Sequence, residues 1–165
     1  MISETMNNRV SLRSVINADL PIFFEQQKDL EANQMAAFTS RNPSNHKRFN
    51  AHWKKIMADE SVIIRTIIFL DQVAGYILSY QDEGKPVVGY WIGKEYWGKG
   101  IATRALAEFL SSANTVRPIY ARIAKDNQAS KRVLEKCGFC VIHKTKSFAN
   151  ARGKVIEEYM LELSD

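Results

Sequence analysis

Residues Trp91–Ala107 read WIGKEYWGKGIATRALA, and the order of residue types in that stretch decides the fold. An apolar strand end, Trp91-Ile92, runs into Gly93. Gly98 and Gly100 then bracket Lys99, and from Ile101 the chain turns helical, with Ala105, Leu106, Phe109 and Leu110 on one face. A strand, a glycine turn and a helix N-terminus together aim backbone N–H groups at an anion. Three phosphate patterns overlap here. Gly93 to Lys99 nearly spells G-x-x-x-x-G-K-[ST], but Gly100 stands where a magnesium-holding hydroxyl belongs. The apolar run ending in an aspartate, Thr66–Asp71, lies upstream of this loop instead of after it. Gly98-Lys-Gly100-Ile-Ala-Thr103 lacks the third glycine of G-x-G-x-x-G, and the strands before it read as hairpins. What remains is an anion-binding turn that needs no metal.

The rest of the chain bounds this reading. Its 165 residues are expected to form one domain spanning 1–165. Lys and Arg number 23 against 18 Asp and Glu, a net charge of +5 that suits a polyanionic ligand. No Lys/Arg run marks a nucleic-acid stripe, so no nucleic-acid partner is expected. The N-terminus lacks a basic region followed by an apolar core, and Arg65 interrupts the most apolar stretch, Val62–Leu70. A cytoplasmic protein without membrane attachment is expected. Cys137-Gly-Phe-Cys140 falls at a helix end, the wrong pole for a reactive thiol, so both cysteines read as structural and no metal is expected.

Working outward, residues 8–15 alternate as a strand and residues 16–30 read as a helix, with Asn17 as cap and Pro21 in its first turn. A polar interval, 31–45, precedes a second helix over 46–57. Residues 61–70 and 72–80 read as a hairpin around Asp71-Gln72, and 87–93 as a strand after the turn at 82–86. A strand at 117–124, a helix capped by Asn127 and closed by Gly138, and strands at 139–148 and 154–163 complete the chain. The expected order is β-α-α-β-β-β-α-β-α-β-β, an α+β domain with a mixed, mainly antiparallel sheet.

Gly89–Leu106, GYWIGKEYWGKGIATRAL, together with Ala121–Phe139, ARIAKDNQASKRVLEKCGF, resembles the GNAT acetyltransferase superfamily. Within it, the sequence is most similar to the branch of ribosomal-protein N-terminal acetyltransferases. The resemblance implies a three-layer α/β/α domain that uses acetyl-CoA as co-substrate. It implies that the backbone of Gly98, Lys99, Gly100, Ile101, Ala102 and Thr103 holds the pyrophosphate. Tyr90, Trp91 and Ile92, ending at Gly93, would pair with the pantetheine arm like an added strand. Asn127 would contact that arm, and Ser130 would lie near the sulfur as an acid toward the thiolate. An N–H near Ile92 or Gly93 would stabilise charge on the carbonyl oxygen.

The sequence also departs from that pattern. Trp97 replaces an Arg or Gln, Leu134 replaces a tyrosine acid, and Val87 and Val88 occupy the region of a glutamate base. Glu31 and Glu83, with His46 and Glu95, are the base candidates, with an ordered water chain as the equal alternative, while His52 and His143 read as structural. Met35, Phe38 and Arg41, in the segment 29–44, are expected to wall the acceptor. That acceptor would be an amine, either a small molecule or a protein N-terminus, and a homodimer is compatible with the pattern. Three rivals stay open: a magnesium-dependent nucleotide enzyme, a coenzyme A-binding module without turnover, and a basic RNA-binding domain.

Overall fold

In the computed structural model, which describes residues 9–165, β-branched and aromatic runs form seven strands among the described residues. They are β1 (Val10–Arg13), β2 (Ile63–Phe69), β3 (Gln72–Asp82), β4 (Lys85–Ile92), β5 (Ile119–Ala124), β6 (Cys140–Ala149) and β7 (Lys154–Leu163). The helices are α1 (Leu20–Gln27), α2 (Leu30–Ala36), α3 (His46–Ala58), α4 (Ile101–Glu108) and α5 (Gln128–Lys136). One sheet runs β1-β2-β3-β4-β5-β7-β6, with every pairing antiparallel except β4 with β5. This is the expected mixed, mainly antiparallel α+β domain. Asn8, at the start of the expected first strand, lies outside the described residues.

Period-two alternation gives the sheet two apolar faces. Ile67, Ile77, Val88 and Ile123 point to α4 and α5, packing with Ile101, Leu106, Phe109 and Leu134. Ile64 and Tyr76 point the other way, onto Phe23, Phe24, Phe49 and Trp53 of α1 and α3. Tyr76, Phe23 and Trp53 pack in tilted and edge-to-face pairs with centroids 4.9–5.2 Å apart. Helices therefore cover both faces, giving the three layers.

Three details differ from the sequence reading. The polar interval holds the extra helix α2, capped where the Asp29 carboxylate accepts the Ala32 N–H at 2.8 Å. The β2–β3 turn is Leu70-Asp71, one residue earlier than expected, and both residues take positive φ. Asn17 is not a cap; the carboxylate that organises this entry is Asp19. It accepts two hydrogen bonds from Arg13 at 2.7 and 2.8 Å, one from Thr66 at 2.6 Å and one from the Ile16 N–H at 3.0 Å.

Asp19 is only 2% exposed, so the charge is affordable only because its lone pairs are satisfied. Burial alone would raise its carboxyl pKa, but the Arg13, Thr66 and Ile16 hydrogen bonds outweigh burial and hold it below the ordinary value. Asp19→Ala should lose about 3 kcal/mol in urea denaturation at pH 7, the low end for a buried pair because Arg13 is partly exposed. With a depressed folded pKa, this contribution is complete above about pH 4 and disappears on further acidification. Asp19→Asn should lack that acid-limb loss.

Candidate active site

β4 and β5 share one register pair, Val87↔Tyr120. Beyond it β4 stays on β3 through Gly75↔Ile92, and β5 stays on β7 through Ala124↔Glu158. The two strands therefore diverge toward Ile92 and Ala124 and open a wedge through the sheet. Close approach at Gly75 holds β4 to β3: a Cβ there would sit 1.9 Å from the Trp91 carbonyl oxygen. The Gly93 N–H then donates to the Ala74 carbonyl at 2.8 Å. Of the two candidate carbonyl-stabilising groups, Gly93 is thus already committed. Strand alternation turns the Ile92 N–H to the open edge. The Ile92 carbonyl faces that edge too, where it accepts the Trp97 indole N–H at 2.9 Å.

The wedge widens into a cleft of about 420 Å³. Of the residues expected to hold the acyl carrier, Tyr90, Trp91, Ile92, Gly98, Gly100, Ile101, Ala102, Thr103, Asn127 and Ser130 line it. Lys99 is exposed and Gly93 is buried, and neither lines the cleft. Gly98 and Gly100 both take φ of +76°, and a Cβ at either would project into open space. Glycine is required there by backbone conformation and leaves the mouth of the turn clear. The Arg104 N–H is the first to bond back, to Gly100. The N–H groups of Ile101, Ala102 and Thr103 consequently have no intrahelical partner.

On the facing helix, the Asn127 side-chain oxygen caps the Ser130 N–H at 3.2 Å, leaving its amide donors to the cleft. Arg132 and Lys136 also line the cleft. The sequence reading missed both; their i,i+4 spacing on the polar face of α5 was the available signal. Tyr90 and Trp91 point to opposite faces of β4, and the Tyr90 hydroxyl and Trp91 indole nitrogen are both buried without hydrogen-bond partners. Burial pushes the Tyr90 phenol up to about 12, against a smaller lowering by neighbouring Ser130. That pair lies close without meeting hydrogen-bond geometry. Taken together, an open strand edge, a glycine cradle and two cations fit a long carrier ending in phosphates.

The base and acceptor candidates scatter more. Met35 lines the cleft with Ala32, Ala36 and Tyr96. Phe38 instead packs on Ala37, Ala124 and Ala149, and Arg41 is exposed. Glu31 pairs with Lys94 at 2.6 Å and lines a second groove that shares Met35 and includes Asp126 and Arg152. Glu83 sits at the β3–β4 hairpin tip. Lys85, where β4 begins, is already seven residues from Ile92, roughly 23 Å along the strand, so Glu83 beyond it is out of reach as a base. His46 stacks edge-on against Phe24, while Glu95, His52 and His143 are exposed, so neither His52 nor His143 belongs to the core. Among the described residues, no carboxylate or imidazole lines the main cleft. Buried Glu158, whose carboxyl is pushed up by burial, shares the Trp91 face two strands away but lines neither cavity. Among the described residues, no group of His, Cys, Asp or Glu is placed to hold a metal ion, and no helix is long and apolar enough to cross a membrane.

A family model described as an acetyltransferase (GNAT) domain matches residues 9–140. The chain is 26% identical over 106 residues to an uncharacterized N-acetyltransferase, p20, of Bacillus licheniformis, covering 62% of this chain and 60% of that protein. It is 29% identical over 112 residues to the ribosomal N-acetyltransferase-like protein YdaF of Bacillus subtilis strain 168, covering 62% of this chain and 61% of that one. These matches thus span about three fifths of either relative. In structure it superposes on the microcin C7 self-immunity acetyltransferase MccE, in complex with acetyl-CoA and AMP. The TM-score is 0.81 with 17% identity, covering 97% of this chain and 94% of that one.

Replacing Gly100 with valine forces a β-branched residue into the left-handed region and fills the turn mouth. Coenzyme A affinity should fall at least tenfold in calorimetry, at about 1–2 kcal/mol of stability. Unchanged affinity would remove the cradle assignment.

Proposed function

The chain belongs to the GNAT acetyltransferase family, and from that premise we propose that it is a cytoplasmic, acetyl-CoA-dependent N-acetyltransferase of a single domain. The acetyl group passes directly to a primary amine, on a small molecule or a protein N-terminus. The observation that carries the reading is the wedge between β4 and β5 running into the Gly98–Gly100 turn. The acyl donor supplies an activated thioester, and the protein's own groups do the rest. Amides at the start of α4 bind the pyrophosphate, and the open edge of β4 at Tyr90 and Ile92 pairs with the arm. The Ile92 N–H points at the carbonyl oxygen as its charge grows.

Trp97 stands where the family pattern has an Arg or Gln donor, and Arg132 and Lys136 supply cationic side chains from across the cleft. Met35 joins the cleft to the groove containing Glu31 and Asp126. The amine enters from that groove, where Glu31 relays its proton through water. One observation favours a second reading, a coenzyme A-binding module without turnover: among the described residues, no carboxylate or imidazole touches the main cleft.

Saturating acetyl-CoA should raise the melting temperature by about 5–10 °C, and ATP with magnesium should leave it unchanged. The reverse pattern would reject the reading. Thiol release against a panel of amines and N-terminal peptides separates enzyme from binder; binding with no release for any acceptor favours the binder. Arg132→Ala with Lys136→Ala should weaken coenzyme A about tenfold while leaving a phosphate-free pantetheine thioester unaffected.

A further inference from the structure

The open end of the wedge is crossed by α2, a short helix that polar contacts hold at both ends. On the β4 side, Lys94, two residues past Ile92, pairs with Glu31 at 2.6 Å and with Asp29 at 3.7 Å. On the β5 side, Arg152 of the β6–β7 hairpin donates to both carboxylate oxygens of Asp126, two residues past Ala124, at 2.6 and 2.8 Å. Its Nε–H donates to the Gln34 carbonyl of α2 at 2.9 Å. The chain leaves α2 through a γ-turn at Ala37, where φ is 68° and the Phe38 N–H donates to the Ala36 carbonyl at 2.7 Å. Such a turn is strained for alanine and lasts only where its surroundings fix it. Here Ala37 is fully buried in a cluster with Ala124 and Ala149, and its carbonyl accepts the Ala151 N–H at 3.1 Å. The Lys94 pair is exposed and therefore weak, so the hairpin end supplies most of the anchoring.

One face of this bar presents Ala32, Met35 and Ala36, spaced i, i+3 and i+4, to the main cleft. Of these, Met35 also lines the second groove. The acyl carbon has to lie where the donor cleft meets the path of the amine, and Met35 stands at that junction. We propose that Met35 is the specificity-determining residue for acyl-chain length, set in a fixed ceiling that admits an acetyl group and excludes a butyryl group. This rests on the acetyl-transfer reading. The alanines beside Met35 are too small to close the space, so the thioether side chain limits its depth. The ceiling cannot lift for two further methylenes without breaking the Arg152 hydrogen bonds or opening the Ala37 turn. Forcing extra methylenes against a wall held in this way is unfavourable, whereas truncating the side chain opens the room they need.

The test measures the affinity of the full chain for acetyl-CoA and for butyryl-CoA by calorimetry, in wild type, Met35→Ala and Met35→Phe. The ratio of the two affinities is the readout, because a general loss of stability or of carrier binding cancels in it. Wild type should bind acetyl-CoA about tenfold or more tightly than butyryl-CoA, the scale on which methylenes are discriminated. In Met35→Ala the ratio should fall to about threefold or less. Met35→Phe keeps a bulky apolar wall at the same place, so its ratio should stay at about tenfold or more. A wild-type ratio near one overturns the proposal. So does a Met35→Ala ratio equal to the wild-type value, which puts the limiting wall elsewhere in the cleft. An equal fall in Met35→Phe also overturns it, since any disturbance of α2 would then suffice. If wild type binds neither thioester nor coenzyme A itself, the acetyl-transfer reading fails and takes the proposal with it.

Discussion

The site depends on one broken ladder. Parallel neighbours ordinarily pair along their length, yet β4 and β5 meet at a single register position, Val87↔Tyr120. The break is affordable because each strand is satisfied on its other side. β4 pairs with β3 from Lys85 to Ile92, and β5 pairs with β7 from Ile119 to Ala124. Beyond Val87 and Tyr120 the inner edges of the two strands do not pair with each other, and such edges in a sheet invite an added strand. Gly75, with no room for a side chain beside the Trp91 carbonyl, keeps β4 from following β5.

Around the break, the electrostatics are built from backbone more than side chains. Trp97 spends its indole N–H on the Ile92 carbonyl, tying the loop before the glycine turn to the end of the strand. The turn then offers amides and a helix terminus, with Arg132 and Lys136 opposite. The groove that meets the cleft at Met35 is more polar, bordered by the Glu31–Lys94 and Asp126–Arg152 ion pairs.

The elements with strong period or punctuation were legible in the sequence: the glycine turn, α4, the Asn127-capped helix and the long antiparallel strands. Helix α2 was not, because a seven-residue helix with Leu30 78% exposed has no apolar stripe to read. The β2–β3 turn was misplaced by one residue because Leu70, a poor left-handed residue, takes positive φ. Loop position alone made Glu83 look equal to Glu31, and only sheet topology separates them. The wedge itself leaves no local mark, since it arises from which strands stop pairing. The unmet hydroxyl of Tyr90 is equally invisible, because alternation gives the face of a side chain and not whether its polar end finds a partner.

A crystal structure of the chain with coenzyme A tests the central claim most directly. The account predicts the pyrophosphate on the amides of residues 98–103 and the pantetheine arm along the β4 edge at Tyr90–Ile92. Density for the ligand elsewhere, or β4 and β5 paired continuously beyond Val87 and Tyr120, would contradict it.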